Sequence, residues 1–179
     1  MATRNIVPRA DNEGELGTSS KRWSDVNTAQ INGVVTQITQ YAQKTADQTT
    51  ASTSYVDITE FDAFALAASA TYYFEFDLLV TTSATTDGIN CTINASGAVS
   101  SINYIQEYPT SATASTFEQV TALQGGTNST AGPGATPRIY RIVGTVTTSG
   151  AVTLAVQVKT EVTSSTIEAG SVGYVKRVA

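Results

Sequence analysis

The chain of 179 residues has no histidine, one cysteine, one tryptophan, four prolines and only 14% charged residues. Each shortage excludes something. Without histidine there can be no Ser-His-Asp or Cys-His nucleophile system, and the commonest zinc ligand is gone. A lone cysteine, Cys91, rules out an intrachain disulfide framework. Its place in an alternating strand pattern reads as a small buried hydrophobe. Ten Lys and Arg against fifteen Asp and Glu leave a formal net charge of -5. That balance opposes the counterion release on which nucleic-acid binding depends. No apolar segment follows Met1 and no long apolar run occurs, so neither a secretory signal nor a membrane span is expected. The Asn-x-Ser/Thr triplets at Asn90, Asn94 and Asn128 therefore carry little weight. A phosphate-cradling loop is missing too, because Gly125-Gly126 and Gly132-Pro133-Gly134 fall between strand patterns rather than before a helix.

What the chain does contain divides into three parts. Residues 1–27 are turn-rich. Residues 28–50 are rich in Gln, Thr and Ala. Residues 51–179 read as strands. In the middle part Ile31, Val34, Ile38, Tyr41 and Thr45 step by three and four, the seam of a short coiled coil. Gly33, Thr36 and Thr39 oppose a helix, so an extended, Thr-rich linker is the other reading. Either form leaves a narrow apolar stripe that needs a partner chain or the following domain.

In the third part, strands are predicted at residues 55–61, 71–82, 88–95, 102–108, 117–123, 138–147, 151–162 and 166–178. Tyr72, Phe74, Phe76 and Leu78 alternate with Tyr73, Glu75 and Asp77; Val152, Leu154, Val156 and Val158 alternate with Thr153, Gln157 and Lys159. A period of two is what a strand with one buried face requires. Ser96-Gly97 and Ser149-Gly150 read as turns, the second as a tight hairpin. The expected fold class is mainly β: an antiparallel two-sheet sandwich of the jelly-roll kind. Tyr55, Tyr73, Leu79, Tyr104 and Tyr140 exceed what one core can take, which points to interfaces on outer strand faces.

Carboxylates are the remaining catalytic option. Asp57, Glu60 and Asp62 cluster, as do Glu75 and Asp77, and a carboxylate pair can hydrolyse glycosides. Their placement at strand ends and on a polar strand face is ordinary for exposed acids, and no catalytic residue is assigned. Asp57, Asp62 and Asp87 offer oxygen ligands for calcium, but no EF-hand spacing is present. No metal and no cofactor is expected.

The segment 5–23 holds Ile6, Val7, Pro8, Asp11, Asn12, Leu16, Gly17, Ser19, Ser20, Arg22 and Trp23, followed by Asp25, Val26 and Ile31-Asn32-Gly33. This series resembles a motif of bacteriophage tail-fibre and related virion proteins, over about the first 33 residues. The strand patterns at 72–79, 141–146 and 152–158, with the closing Gly170-Ser171-Val172, look like the trimeric jelly-roll knobs of phage fibres. More distantly they look like tumour-necrosis-factor and complement-C1q type trimers. The chain departs from long tail fibres in having one copy of the motif and no repetitive shaft.

The resemblance implies a homotrimer in which Ile6, Val7, Leu16 and Trp23 meet their symmetry mates, with Pro8, Gly14 and Gly17 supplying bends. It implies a non-enzymatic virion protein, a short fibre or a capsid decoration. Residues 1–27 would be its anchor, 28–50 its stalk and 51–179 its exposed head. Its partners would be its own copies and other capsid or tail proteins, with no nucleic acid and no membrane. The alternative is a tail-fibre receptor-binding protein, a lectin-like adhesin for host surface glycans. Its contacts would be loops 110–116 and 125–136 with exposed Tyr104 and Tyr108.

Overall fold

The computed structural model describes residues 39–127 and 129–178, together with the backbone of residues 30–31 and 34–35. The motif residues Ile6, Val7, Pro8, Asp11, Asn12, Leu16, Gly17, Arg22 and Trp23 lie outside the described residues, as do Ile38 and Asn128. The chain divides into two units, Met1–Thr36 and Gln37–Ala179. In the first, β1 (Gln30–Ile31) pairs antiparallel with β2 (Val34–Val35), Ile31 opposite Val34.

The second unit is an antiparallel β structure. Its strands are β3 (Thr39–Gln43), β4 (Gln48–Thr50), β5 (Val56–Asp57), β6 (Phe64–Leu66), β7 (Ala70–Thr82), β8 (Ile89–Pro109), β9 (Ser115–Val120), β10 (Arg138–Thr160), β11 (Ser165–Ile167) and β12 (Val172–Arg177). The main order is β3-β12-β7-β10-β8-β9; β5 and β6 pair with β10, and β11 pairs with both β4 and β7.

The organising feature is the ribbon of β8 and β10, paired from Arg141 opposite Glu107 to Thr160 opposite Ile89. Its register breaks between Thr147 and Val152, where residues 149–151 of β10 face Ala98 alone. Extra residues bend a strand and sharpen its twist. Before the break β10 pairs with β7; after it, with β6 and β5. The two halves then face each other. The Tyr140 hydroxyl lies 3.0 Å from the Cys91 carbonyl oxygen, and Gln106 Nε2 donates to that same carbonyl at 2.9 Å. The Thr92 and Tyr104 hydroxyls are 3.0 Å apart. The ribbon therefore doubles back, giving two layers.

Thr148 fastens the corner. Its hydroxyl donates to the Ala67 carbonyl at 2.6 Å and accepts from the Ala70 amide at 3.2 Å.

Between the layers lies the core. Tyr72, Phe74, Phe76, Leu78 and Val80 come from β7, and Leu154, Val156 and Val158 from the second half of β10, all buried as their alternation predicts. Phe61 and Phe64 of the second layer meet the Phe76 ring edge-on, with centroids 5.9 and 5.5 Å away. Gly173 makes room for that ring, since a Cβ there would lie 2.2 Å from a Phe76 ring carbon.

Several expectations are corrected. Ser149-Gly150 is not a hairpin and Ser96-Gly97 is not a turn between separate strands. Thr153 lies opposite Ser96 and Val152 opposite Gly97, so both dipeptides belong to the bent corner of one continuous ribbon. The span 166–178 is two strands, broken at Gly170, whose φ of 91° reverses the chain. Residues 39–50 are part of the head, because β3 pairs with β12 and β4 with β11. The head thus begins before residue 51. Of the two forms considered for 28–50, the described parts are extended: Ile31 and Val34 sit in β1 and β2, and Tyr41 sits in β3. Among the described residues of this span the seam spacing has no helix to act on.

Candidate interaction face

β3, β12, β7, the first half of β10, the second half of β8 and β9 form one six-stranded layer of the ten-stranded sheet. Its inner side is the core; its outer side is set by the opposite parity of the same strands. The pairings align Gln43, Val172, Asp77, Arg141, Glu107 and Phe117 in one row across it. The next row runs Tyr41, Tyr174, Glu75, Val143, Ile105 and Gln119, and a third begins Thr39, Lys176, Tyr73 and Thr145.

This outer side carries most of the large exposed apolar groups of the described residues: Phe117 at 69% exposure, Tyr41 at 64%, Ile139 at 52% and Ile105 at 48%. Half-buried Leu79, Val143 and Val172 join them. The outer side of the other layer differs. There Gln124 donates to Gln157 at 2.6 Å and Gln157 donates to Asp57 at 2.7 Å, so polar groups satisfy one another.

At the centre of the apolar face lies a charged cluster. Tyr73 and Tyr174, ring centroids 5.9 Å apart, both donate their hydroxyls to Glu75 Oε2, at 2.9 and 3.0 Å. Arg141 bridges to Glu75 Oε1 from the next strand. Burial works against the Glu75 charge, but the bonds from Tyr73, Tyr174 and Arg141 outweigh it and its pKa is lowered. Burial and then the bond to Glu75 push the Tyr73 hydroxyl well above the usual tyrosine value. Arg141 Nε is 3.5 Å from Asp77 Oδ1, beyond hydrogen-bond reach. That oxygen is shielded from water and has no hydrogen-bond partner. Beside it is a depression lined by Asp77, Leu79, Glu107, Arg138, Ile139 and Arg141, among others.

The other sequence candidates are placed as follows. Tyr104 and Tyr108 are not surface contacts: they are 1% and 9% exposed. Even-numbered positions of this half of β8 face the core, and Tyr108 stacks on buried Tyr140 with centroids 5.9 Å apart. Glu75 and Asp77 share Arg141, and Glu75 lacks the raised pKa of a glycosidase's general acid. Glu60 is held by Lys44, which is buried and bonds Glu60 Oε2 at 2.7 Å and Thr59 Oγ1 at 2.6 Å.

Asp87 is no calcium ligand in this arrangement. Its carboxylate accepts from Ser83 Oγ at 2.6 Å and from the amides of Val162, Thr163 and Ser164 at 3.0, 3.2 and 3.0 Å. A cation would meet the positive ends of those donors. Burial opposes the Asp87 charge, yet these bonds win and lower its pKa. Among the described residues no group of three or more His, Cys, Asp or Glu side chains could hold a metal ion.

No protein-family model matches the chain, and no curated protein matches it. Among solved structures it is similar to infectious bursal disease virus, Gx strain, with a TM-score of 0.31 at 12% identity, covering 86% of this chain and 44% of that one. It is also similar to the VP2 subviral particle of that virus, with a TM-score of 0.23 at 13% identity, covering 86% of this chain and 45% of that one. The chain thus spans under half the length of either. Scores this low do not establish a common fold.

Sequence reasoning found Tyr73 and Leu79 of this face, put Tyr41 in a stalk seam, and missed Ile105, Phe117, Ile139, Arg141 and Lys176. A signal was present. In residues 138–147, Ile139 and Val143 have the opposite parity to Tyr140 and Ile142, so that strand is apolar on both sides.

Proposed function

We propose that the chain is a non-enzymatic structural protein of a bacteriophage virion, a short trimeric fibre or capsid decoration with an exposed jelly-roll-type head. The observation that carries this reading is the gathering of exposed Phe117, Tyr41, Ile139 and Ile105 on the outer face of one layer of the sheet. Several large exposed apolar side chains gathered on one face mark a protein contact. The resemblance of residues 5–33 to phage fibre proteins supplies the kind of particle, and makes residues 1–27 the anchor. Motif residues Ile6, Val7, Leu16 and Trp23 then pack around the three-fold axis.

The test has two parts. Light scattering on the full chain at micromolar concentration is expected to give three times the chain mass; a stable monomer would sink the trimer. Deletion of residues 1–27 is expected to abolish incorporation into particles, and normal incorporation of the truncated chain would remove the anchor role. The lectin-like alternative loses its aromatic contacts with the burial of Tyr104 and Tyr108. A glycan array with the full chain measures what remains of it.

A further inference from the structure

The outer face carries two charged groups of opposite sign that have no ion-pair or side-chain hydrogen-bond partner among the described residues. Lys176 of β12 makes no ion pair or side-chain hydrogen bond among the described residues, and neither does Glu107 of β8, although Glu107 faces Arg141 across the pairing. They stand at opposite sides of the sheet, separated by β7 and β10.

The depression beside Glu107 holds a second deficit. Its walls include Leu79 and Ile139, and its charged lining is Asp77, Glu107, Arg138 and Arg141. The Arg141 guanidinium is already engaged by Glu75. Counting Glu75, three carboxylates face two guanidiniums, which leaves an uncompensated negative charge. The Asp77 side chain is 38% exposed, so its carboxylate opens onto the same depression as a second acceptor. The occupant should therefore have an apolar stem and a compact cationic head with several donors. A lysine has that chemistry.

We infer that the depression receives Lys176 of a second copy of this chain. This rests on the homo-oligomer reading above and specifies its contact. The lysine stem lies against Leu79 and Ile139, and its ammonium lies between the Glu107 and Asp77 carboxylates. The donor side of one copy meets the acceptor side of the next. Because the two patches differ, the contact is head-to-tail, and repeating it through a three-fold rotation closes the ring that the homotrimer reading requires. Phe117, Ile105 and Tyr41 then leave water along the same face.

The experiment uses the full chain. Equal amounts of ordinary and 15N-labelled protein are mixed, allowed to exchange, and treated with a zero-length carbodiimide cross-linker. Mixed-isotope peptides report only links between copies. The expected result is an intermolecular link from Lys176 to Glu107 or Asp77, absent in Lys176→Ala. In parallel, Lys176→Glu and Glu107→Lys are each expected to weaken association about tenfold, and the double exchange to restore it. An oligomer whose intermolecular links all lie elsewhere, with neither charge reversal affecting association, overturns this contact and leaves the oligomer reading standing. A chain that stays monomeric overturns both. An oligomer with the predicted link that is never found in particles keeps the contact and overturns the virion role.

Discussion

At the residue scale, the informative groups are polar ones that the core has taken in. Asp87 is 2% exposed, and its carboxylate ties the loop at 83–87 to the amides of Val162, Thr163 and Ser164. Its folded pKa lies below the unfolded value of about 4. The stabilisation is therefore fully present above about pH 4 and is lost as pH falls through the lowered folded value. Asp87→Asn is expected to cost about 2–4 kcal/mol in urea unfolding at pH 7 and to flatten the acid limb of stability against pH. An unchanged acid limb would show that another carboxylate controls it. Cys91 gives a second prediction. Burial pushes its thiol well above the usual cysteine value, so a thiol-specific reagent is expected to label it in denaturant and not in the native head. The lone cysteine was legible as a buried hydrophobe because of its strand setting. Asp87 read only as a candidate calcium ligand, because the amides that bind it come from more than seventy residues away in the chain.

At the element scale, the decisive object is the bent β8–β10 ribbon. Alternation along residues 71–82 and 151–162 was enough to assign strands and their buried sides, since a period of two needs only local sequence. It could not show that Ser96-Gly97 and Ser149-Gly150 lie near one another. Small and turn-prone residues serve a hairpin and a bulged corner equally well, and only the partner strand distinguishes them. Thr148→Val tests the corner. It keeps shape while removing the hydroxyl that serves Ala67 and Ala70, and is expected to cost about 1–3 kcal/mol. The measurements are the denaturant midpoint and faster hydrogen exchange at the Ala70 amide. Tyr140→Phe probes the contact between layers in the same way. It deletes the hydroxyl at 3.0 Å from both Cys91 O and Gln106 Oε1, for an expected cost of about 1–2 kcal/mol.

At the scale of the whole molecule, the head carries most of the exposed large apolar side chains of the described residues on one side. Phe117→Asp and Ile105→Lys are expected to leave the circular dichroism of the head unchanged. Each should weaken self-association by about tenfold or more, since burying such a side chain is worth about 1.5–3 kcal/mol. Light scattering over a dilution series measures it. Unaltered association in both variants would place the contact on another surface. The aromatic surplus noted in the sequence was real, but its division was not readable there. Tyr104 and Tyr140 went to the core with hydrogen-bonded hydroxyls, while Tyr73 and Tyr174 went to the outer face around Glu75.

By itself the sequence determined the chemistry that is absent, the β class, and which residues of β7 and the second half of β10 face inward. These follow from composition and from a two-residue period, both properties of neighbouring positions. Tertiary structure alone decided that two predicted turns form one folded ribbon, that residues 39–50 are strands of the head, and that Tyr104 and Tyr108 are buried. It also decided that Asp77, Glu107 and Lys176 share a face. Each of these depends on which distant strand lies alongside, and strand pairing is set by the packing of the whole core rather than by any local stretch of chain.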